Sequence, residues 1–557
     1  MQDGMSGAGL TLRAAHPVLE VRDYSLAYHT HGSGSFDALT SINLAIKRGR
    51  TLGLVGESGS GKSSLAWAIM RYLPINAREL GGSLLLSGED LRAKTRAEIA
   101  ELRGGRISMV FQDPSTSLNP TLTLGYQLAE VLVRHRRLAR KDALAESEAL
   151  LHRVGITRPA AMMRRYPHQA SGGEKQRVVI ATAFACSPEC IIFDEPTTAL
   201  DVITARQILD LFAALQQETQ VAALYISHDL GLVSRIADEV AVIHRGRIIE
   251  EGSTHSIFAS PRRDYTKALL AAVPDVSRRL TTSEPDTQMP PLLQARHLTV
   301  RYASGGGGLA SLLGRKRETV IAARSVDLDL RRGEVLGLVG ESGSGKSTIA
   351  KALVGLQDFS GEIQLDDGRF GARRDFDRAY RREVQIVFQH PDASLNPRQR
   401  IGEILSRPLK LYRLARGAAI RSKVHELLAL VSLPAEFALR YPHQLSGGEK
   451  QRVAIARAFA AEPRVVICDE ITSSLDVSVQ ASIARLLVAL QARSGTACLF
   501  ISHDLNLVRQ LAHRIAVIFR GDIVDLFDAA SFAAQGRHPY TSSLAAAVTT
   551  LAAAQPV

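Results

Sequence analysis

The string GLVGESGSGKS occurs twice, at 53–63 and at 337–347. A chain that repeats so specific a run must build that part of its fold twice, which limits the architecture before any other feature does. Two more runs keep the same rhythm: YPHQ-x-SGGEKQRV at 166–178 and 441–453, and ISHDL at 226–230 and 501–505. Lys346 lies 284 positions after Lys62 and Gln389 277 after Gln112; Ser446, Asp469 and His503 each lie 275 after Ser171, Asp194 and His228. The halves are in register from the SGGE run onward. The period is that of a duplicated domain of roughly 260 residues, far too long for a solenoid unit.

Punctuation sets the expected boundaries. Residues 274–291, PDVSRRLTTSEPDTQMPP, are rich in Pro, Ser, Thr and charge and lack apolar periodicity, so they read as a linker. The expected layout is a tail at 1–17, a first domain at 18–273, that linker, and a second domain at 292–557. The run SGGGGLASLLGRKRE at 304–318 reads as a flexible insertion.

Each half carries the same coarse pattern. An apolar strand (TLGLVG, VLGLVG) enters a glycine-rich turn and a helix; a second (CIIFDE, VVICDE) ends in two acids; a third (AALYISH, ACLFISH) ends in histidine. Short apolar strands alternating with helices imply an α/β fold whose parallel sheet is covered on both faces. Ligands of such sheets sit at the carboxyl ends of the strands, where these polar residues collect. The stretches 100–170 and 380–440 read as mostly helical and are expected to form a separate subdomain in each half.

Composition narrows the class. Of 557 residues, 45% are hydrophobic and 22% charged, the balance of folded protein. Four cysteines are too few for a disulfide framework and fit a reducing compartment. No apolar run reaches the ~18–20 residues of a membrane-spanning helix, and MQDGMSGAGL has neither the basic start nor the apolar core of a secretory signal. The expectation is a cytosolic chain that does not itself cross a membrane. The net charge of +12 would suit a nucleic acid or an anionic membrane surface, but the basic residues form no single stripe. A solvated, arginine-rich surface is the simpler account.

The glycine-rich runs satisfy G-x-x-x-x-G-K-[ST]. In the first, Gly56, Glu57, Ser58, Gly59, Ser60, Gly61, Lys62, Ser63 and Ser64 wrap backbone N–H groups toward phosphate oxygens at a helix start; Gly340, Glu341, Ser342, Gly343, Ser344, Gly345, Lys346, Ser347 and Thr348 do so in the second. Lys62 and Lys346 reach the β- and γ-phosphates, and the Ser63 and Ser347 hydroxyls can ligate Mg²⁺. Asp194 and Asp469 end apolar strands and would hold the same ion. Glu195 and Glu470 follow as candidate general bases for an attacking water. A strand-terminal Asp-Glu pair alone would more often be surface charge or a cap; the glycine-rich loop in the same half raises it to a candidate site.

SGGEKQR, at 171–177 and 446–452, gives the chain its resemblance to the ABC ATPase family, over about residues 18–545. The resemblance implies two tandem P-loop nucleotide-binding domains, each a RecA-like parallel-sheet core with a helical subdomain. It implies ATP and Mg²⁺ as ligands and head-to-tail packing of the halves into an intramolecular pseudo-dimer. Lys62 would then face Ser446, Gly447, Gly448 and Glu449, and Lys346 would face Ser171, Gly172, Gly173 and Glu174. A hydroxyl and small-residue amides at a helix start suit a γ-phosphate. By the same resemblance Gln112 and Gln389 sense Mg²⁺ and the attacking water, and His228 and His503 contact the γ-phosphate. Asp201 and Asp476 lie in the loop that couples the sites, and Tyr28 and Tyr302 stack on adenine, with Tyr24 close enough to Tyr28 to compete. Ala170 stands where Leu is usual before SGGE, and Ile471 where Pro usually follows the glutamate; neither removes a catalytic group, so two hydrolytic sites are expected.

FQDPSTSLNP at 111–120, FQHPDASLNP at 388–397, and the ends DYTKALLAAVP at 264–274 and HPYTSSLAAAV at 538–548 resemble the oligopeptide/dipeptide/nickel importer subfamily in a fused form, similar to the ATPases of microcin C and peptide importers. That resemblance implies two integral-membrane permease partners, an extracytoplasmic solute-binding protein acting indirectly, and a peripheral place on the cytoplasmic face of the bacterial inner membrane. The competing reading is a soluble tandem ATPase acting on ribosomes or nucleic acid, supported chiefly by the charge. Such ribosome-acting proteins usually carry a long charged helical linker, and here the linker is short and proline-containing. An exporter of this class would usually fuse a membrane domain. Cys186 and Cys190 have C-x₃-C spacing with no second pair nearby, and no cysteine follows Cys498, so neither zinc nor an iron–sulfur cluster is expected, nor a nucleic-acid partner.

Overall fold

The computed structural model describes residues 16–30, 34–198, 200–275, 278–281, 284–285, 288–303, 319–473, 475–532 and 537–548. Most of the expected tail and all of the insertion at 304–318 lie outside the described residues. The chain divides into two compact units, the first built mainly from residues up to Leu270 and the second mainly from residues from Ala271 onward, with Asp201–Ile203 grouped with the second.

In the first unit, strands β1 (Leu19–Thr30), β2 (Gly34–Ile46), β3 (Thr51–Val55), β4 (Ala77–Leu86), β5 (Glu89–Asp90), β6 (Ile107–Val110), β7 (Cys190–Asp194), β8 (Ala222–Ile226), β9 (Glu239–His244) and β10 (Arg247–Ser253) form two sheets. The six-stranded sheet runs β10-β9-β3-β8-β7-β6 and is parallel except for the β9–β10 hairpin. Every residue of β3, β7 and β8 is buried, as a sheet covered on both faces requires. The other sheet, β2-β1-β4-β5, is antiparallel and was not anticipated. Its buried Leu19, Tyr24 and Leu39 share one core with Leu65 and Ile69 of helix Lys62–Ile69 and with Leu52, Ile192 and Leu224 of the parallel sheet.

The second unit repeats this plan with β11 (Leu293–Ala303), β12 (Thr319–Leu330), β13 (Val335–Val339), β14 (Ser360–Leu365), β15 (Gly368–Phe370), β16 (Val384–Val387), β17 (Val465–Asp469), β18 (Ala497–Ile501), β19 (Arg514–Phe519) and β20 (Asp522–Asp528). The sheet orders are β12-β11-β14-β15 and β16-β17-β18-β13-β19-β20. Alternation along the strands sorts the two faces. Leu336, Leu338, Val465, Ile467, Leu499 and Ile501 pack with Ile349 and Leu353 of helix Lys346–Leu353. Val335, Val339, Val466, Cys468 and Phe500 face a core that includes Ile483, Leu487, Val508 and Leu511. Cys468 and Cys498, on neighbouring strands, bring their sulfurs to 3.8 Å as free thiols.

The expected helical stretches are helical in part. Helices Leu124–Arg136, Arg140–Arg153 and Pro159–Met163 occupy the first, and Ile401–Leu411 and Ala418–Leu430 the second. Yet β6 and β16 lie inside those stretches and pair with β7 and β17 at the edge of each parallel sheet. Four residues of strand are too short to signal themselves against helical surroundings. Part of the expected linker packs on the second unit: Leu280 N–H donates to the Gln510 carbonyl at 2.9 Å, and Gln510 Nε2 donates to the Asp275 carbonyl at 2.6 Å.

Candidate functional site

In each unit the glycine-rich loop leaves the carboxyl end of the central strand. Gly61, at φ +107°, caps helix Lys62–Ile69; a Cβ there would meet the Ala38 carbonyl oxygen at 2.7 Å and Leu39 Cδ2 at 2.8 Å. Glycine is therefore required by both conformation and space. Gly345, at φ +110°, does the same for helix Lys346–Leu353. Ser58 and Gly59, like Ser342 and Gly343, form the exposed tip of the loop. Ser60 and Ser344 are buried, and their hydroxyls have no hydrogen-bond partner. An oxyanion seated in the loop would satisfy these two orphaned donors.

Lys62 is buried, its ammonium donating to the carbonyls of Gly56 at 2.8 Å and Glu57 at 2.9 Å. Lys346 repeats this with Gly340 and Glu341, both at 2.8 Å, and lies 3.7 Å from Glu470 Oε1. Burial lowers the Lys346 ammonium from its ordinary value, against the pull of Glu470 and Asp469.

Two apolar strands deliver the acids. Ser63 Oγ donates to Asp194 Oδ1 at 3.2 Å, and Ser347 Oγ to Asp469 Oδ1 at 2.8 Å. Burial pushes the Asp194 carboxyl up to about 6, moderated by the Ser63 hydrogen bond; burial raises Asp469 as well. A paired hydroxyl and carboxylate form a hard oxygen donor set that fits Mg²⁺, which would also neutralise the buried charge.

Glu195 and Glu470 stand one residue on, at φ +49° and +48°, a region that non-glycine residues visit rarely. Their amides donate to the carbonyls of Ile226 at 2.9 Å and Ile501 at 3.0 Å, so the strained turn is tied to β8 or β18. Gln112 Nε2 donates to Glu195 Oε2 at 3.0 Å, Thr198 Oγ1 donates to the same oxygen at 3.1 Å, and His228 Nδ1 lies 3.1 Å from it. Burial favours the neutral acid, but the hydrogen bond and charge of His228, with Lys62 and Thr198, outweigh it and hold Glu195 below its ordinary value. His228 is correspondingly raised: burial opposes its charged form, and Glu195 overcomes that. In the second unit Gln389 Nε2 donates to Glu470 Oε2 at 3.0 Å and to Ser473 Oγ at 3.2 Å, and His503 Nδ1 is 3.8 Å from Glu470. Thr198 and Ser473 are site residues that no motif marks; their equivalent place, three residues after each glutamate, is the one sequence signal for them.

The remaining candidates fall at helix starts and beside the loops. Tyr28 OH donates to Ser64 Oγ at 3.2 Å, and Tyr302 OH lies 3.3 Å from Thr348 Oγ1. Tyr24 is fully buried and donates to Glu79 at 2.9 Å, so of the two competing aromatics only Tyr28 stands beside the loop. Ser171 and Ser446 are the N-caps of helices Gly172–Phe184 and Gly447–Phe459, each closing a capping box with Glu174 or Glu449. Ser171 and Gly172, like Ser446 and Gly447, are exposed, while Gly173 and Gly448 are half-buried. Asp476 caps helix Val477–Ser494, and Asp201 directly precedes helix Val202–Thr219. Ile471 is buried in the core beside Glu470, which accounts for an apolar residue there.

A family model described as ABC transporter matches residues 39–198 and 323–473. A second, described as the C-terminal region of oligopeptide/dipeptide transporters, matches 249–302. The chain is 42% identical over 561 residues to the glutathione import ATP-binding protein GsiA of Salmonella choleraesuis (strain SC-B67), covering 95% of this chain and 89% of that one. It is 41% identical over 566 residues to GsiA of Escherichia coli (strain K12), with the same coverage. Among solved structures, a dimeric ATP-binding cassette in a post-hydrolysis state bound to ADP and Pi is 25% identical, with a TM-score of 0.39, over 42% of this chain and 98% of that one.

Proposed function

We propose, from the premise that this chain belongs to the ABC transporter family and hydrolyses ATP, that it is the energy-coupling subunit of a binding-protein-dependent importer of small peptides. The observation that carries the reading is the joint presence, on one chain, of two matches to the ABC transporter family model and a match to the oligopeptide/dipeptide transporter C-terminal region. The relatives are named for glutathione import, so glutathione or a peptide of its size is the proposed cargo. Action on ribosomes or nucleic acid is not favoured, because a +12 charge spread without a stripe is its main support.

The proposed chemistry follows from the two clusters. Lys62 and the loop amides bind the β- and γ-phosphates in the first unit, and Lys346 does so in the second. Tyr28 and Tyr302 offer aromatic faces to the base. Ser63 with Asp194, and Ser347 with Asp469, would hold Mg²⁺, with Gln112 and Gln389 at the same sites; the ion, when bound, neutralises charge on the phosphate oxygens. Glu195 and Glu470 accept a proton from the attacking water, and Gln112 and Gln389 orient it. His228 and His503 couple each glutamate to the γ-phosphate. In the proposed closed state the SGGE serine of one half completes the site of the other: Lys62 with Ser446, Lys346 with Ser171. Closure excludes water and strengthens each of these contacts. Asp201 and Asp476 link the two sites.

Two integral-membrane permeases are the proposed partners, at the cytoplasmic face of the inner membrane, with the solute-binding protein reached only through them. No helix among the described residues is long and apolar enough to cross a membrane, so the path for the cargo is assigned to those partners. A cavity of about 370 Å³ in the first unit, lined by Tyr72, Arg103, Met109, Leu118, Val179 and Phe111, the residue before Gln112, is the proposed permease contact. Purification of the tagged chain from detergent-solubilised membranes tests the reading. Two polytopic permeases in the eluate support it; ribosomal proteins or nucleic acid without a membrane partner overturn it.

A further inference from the structure

The tyrosines of the two YT-x-x-L ends reach the phosphate loops. Tyr265 lies on helix Asp264–Ala271, far in sequence from the first loop, yet its hydroxyl accepts a hydrogen bond from the Glu57 amide at 3.2 Å. That amide and the Gly56 carbonyl are the two ends of one planar peptide. The Gly56 carbonyl accepts from Lys62 Nζ at 2.8 Å. One peptide plane is thus held between the tyrosine hydroxyl and the ammonium that is to meet the phosphates.

The surroundings fix this tyrosine. Its ring packs on His244, the last residue of β9, with centroids 3.9 Å apart. The start of its helix is pinned by Glu250 of β10, whose two carboxylate oxygens accept from the Arg262 amide at 2.7 Å and the Arg263 amide at 3.1 Å. The β9–β10 turn touches the loop directly, Gly246 N–H donating to the Ser60 carbonyl at 3.0 Å.

The second unit repeats the arrangement, the tyrosine 275 positions later and the loop 284. Tyr540 stacks on Phe519, the last residue of β19, at 4.5 Å. Asp525 of β20 accepts from the His538 amide at 3.0 Å and from the Thr541 hydroxyl. Lys346 holds the Gly340 carbonyl at 2.8 Å. The Tyr540 hydroxyl is buried beside the Glu341 amide but closes no hydrogen bond. Packing alone would leave no reason to bury that hydroxyl, and a phenylalanine would serve.

We infer that Tyr265 and Tyr540 are positioning residues for ATP binding: the Tyr265 hydroxyl clamps the loop peptide whose carbonyl orients the phosphate-binding lysine, and the Tyr540 hydroxyl stands beside the equivalent peptide of the second loop. The inference rests on the ATPase reading of the same sites and assigns a role to the C-terminal motif of each half. Its consequence is preorganisation of the loop, which affects ground-state binding of nucleotide more than the hydrolytic step.

Steady-state hydrolysis of MgATP by the full-length chain tests it, with Tyr265→Phe, Tyr540→Phe and the double variant. Phenylalanine keeps the ring contacts and removes only the hydroxyl. The expected result is a rise in KM for ATP of about 3–10-fold in Tyr265→Phe, larger in the double variant, with kcat within about twofold and the thermal midpoint of the free protein nearly unchanged. Tyr265→Leu should add a loss of thermal stability to the same KM effect. An unchanged KM in all three phenylalanine variants overturns the inference while leaving the ATPase reading intact, and so does a lower midpoint with KM unaltered. Absence of turnover in the unsubstituted chain would remove the ATPase reading and this inference with it.

Discussion

Gln112 Nε2 donates to Glu195 Oε2 at 3.0 Å, and Gln389 Nε2 donates to Glu470 Oε2 at the same distance. The carboxylate proposed to take a proton from water is therefore oriented by a side chain of its own unit. In both units it sits on a left-handed residue tied by its amide to the neighbouring strand. Strain of this kind persists only where the surroundings over-determine it.

Glu195→Gln combined with Glu470→Gln removes the proton acceptor and keeps the shape. Phosphate release should fall about 10²–10⁴-fold while ATP binding survives. Single-turnover assays with retained nucleotide measured on a filter check both parts. Continued fast turnover in the double variant would sink the general-base assignment.

Asp194→Asn separates stability from function. Burial pushes this carboxyl up to about 6, so at pH 7 it keeps a charge that burial disfavours. A group raised in this way contributes stability at low pH that is lost as pH rises through its folded value. The amide removes that cost, and the Ser63 hydroxyl keeps an acceptor. The first unit should gain about 1–3 kcal/mol at pH 7 while Mg²⁺-dependent nucleotide binding weakens, by calorimetric unfolding and by nucleotide titration with and without Mg²⁺.

The phosphate loops, the acids and the histidines were legible because each is a contiguous string whose chemistry depends on local spacing. The helix-capping use of Ser171 and Ser446 was also local. What lay hidden was long-range pairing. Strand β1 pairs with both β2 and β4 through register shifts between Val21 and Tyr24 and between Arg22 and Ser25, and those bulges break the alternation that would announce a strand. The same disruption hid which of Tyr24 and Tyr28 belongs to the core. Strands β6 and β16 are too short to signal themselves. The Tyr265–Glu57 contact joins residues some two hundred positions apart, which no window of sequence displays.

Acid should unfold the first unit partly through Glu79. Arg71 donates to its two carboxylate oxygens at 2.6 and 2.9 Å, and Tyr24 adds a third hydrogen bond at 2.9 Å. Burial pulls this carboxyl upward, but those partners outweigh it and the net displacement is downward. The contribution is therefore complete above the ordinary carboxylate value and is lost as pH falls through the lower, folded one. Glu79→Gln should cost about 1–3 kcal/mol at pH 7 and flatten the acid limb of the melting profile below pH 5. An acid limb as steep as in the unsubstituted chain would show that this cluster does not set it.

His513 holds the second parallel sheet where the first uses a carboxylate. The Val335 amide, buried at the start of the central strand, donates to His513 Nδ1 at 2.9 Å. At the equivalent place in the first unit the Thr51 amide donates to Asp238 Oδ2 at 2.8 Å. Each side chain satisfies an amide that no neighbouring strand reaches, on the strand that feeds the phosphate loop. His513→Ala leaves the Val335 amide buried and unpaired, which should cost about 1–3 kcal/mol. His513→Asn offers a side-chain carbonyl in place of Nδ1 and should recover part of that loss. Calorimetric melting of the two variants checks the pair. Equal losses in Ala and Asn would assign the effect to the volume of the imidazole, because only the hydrogen bond distinguishes the two substitutions at this amide.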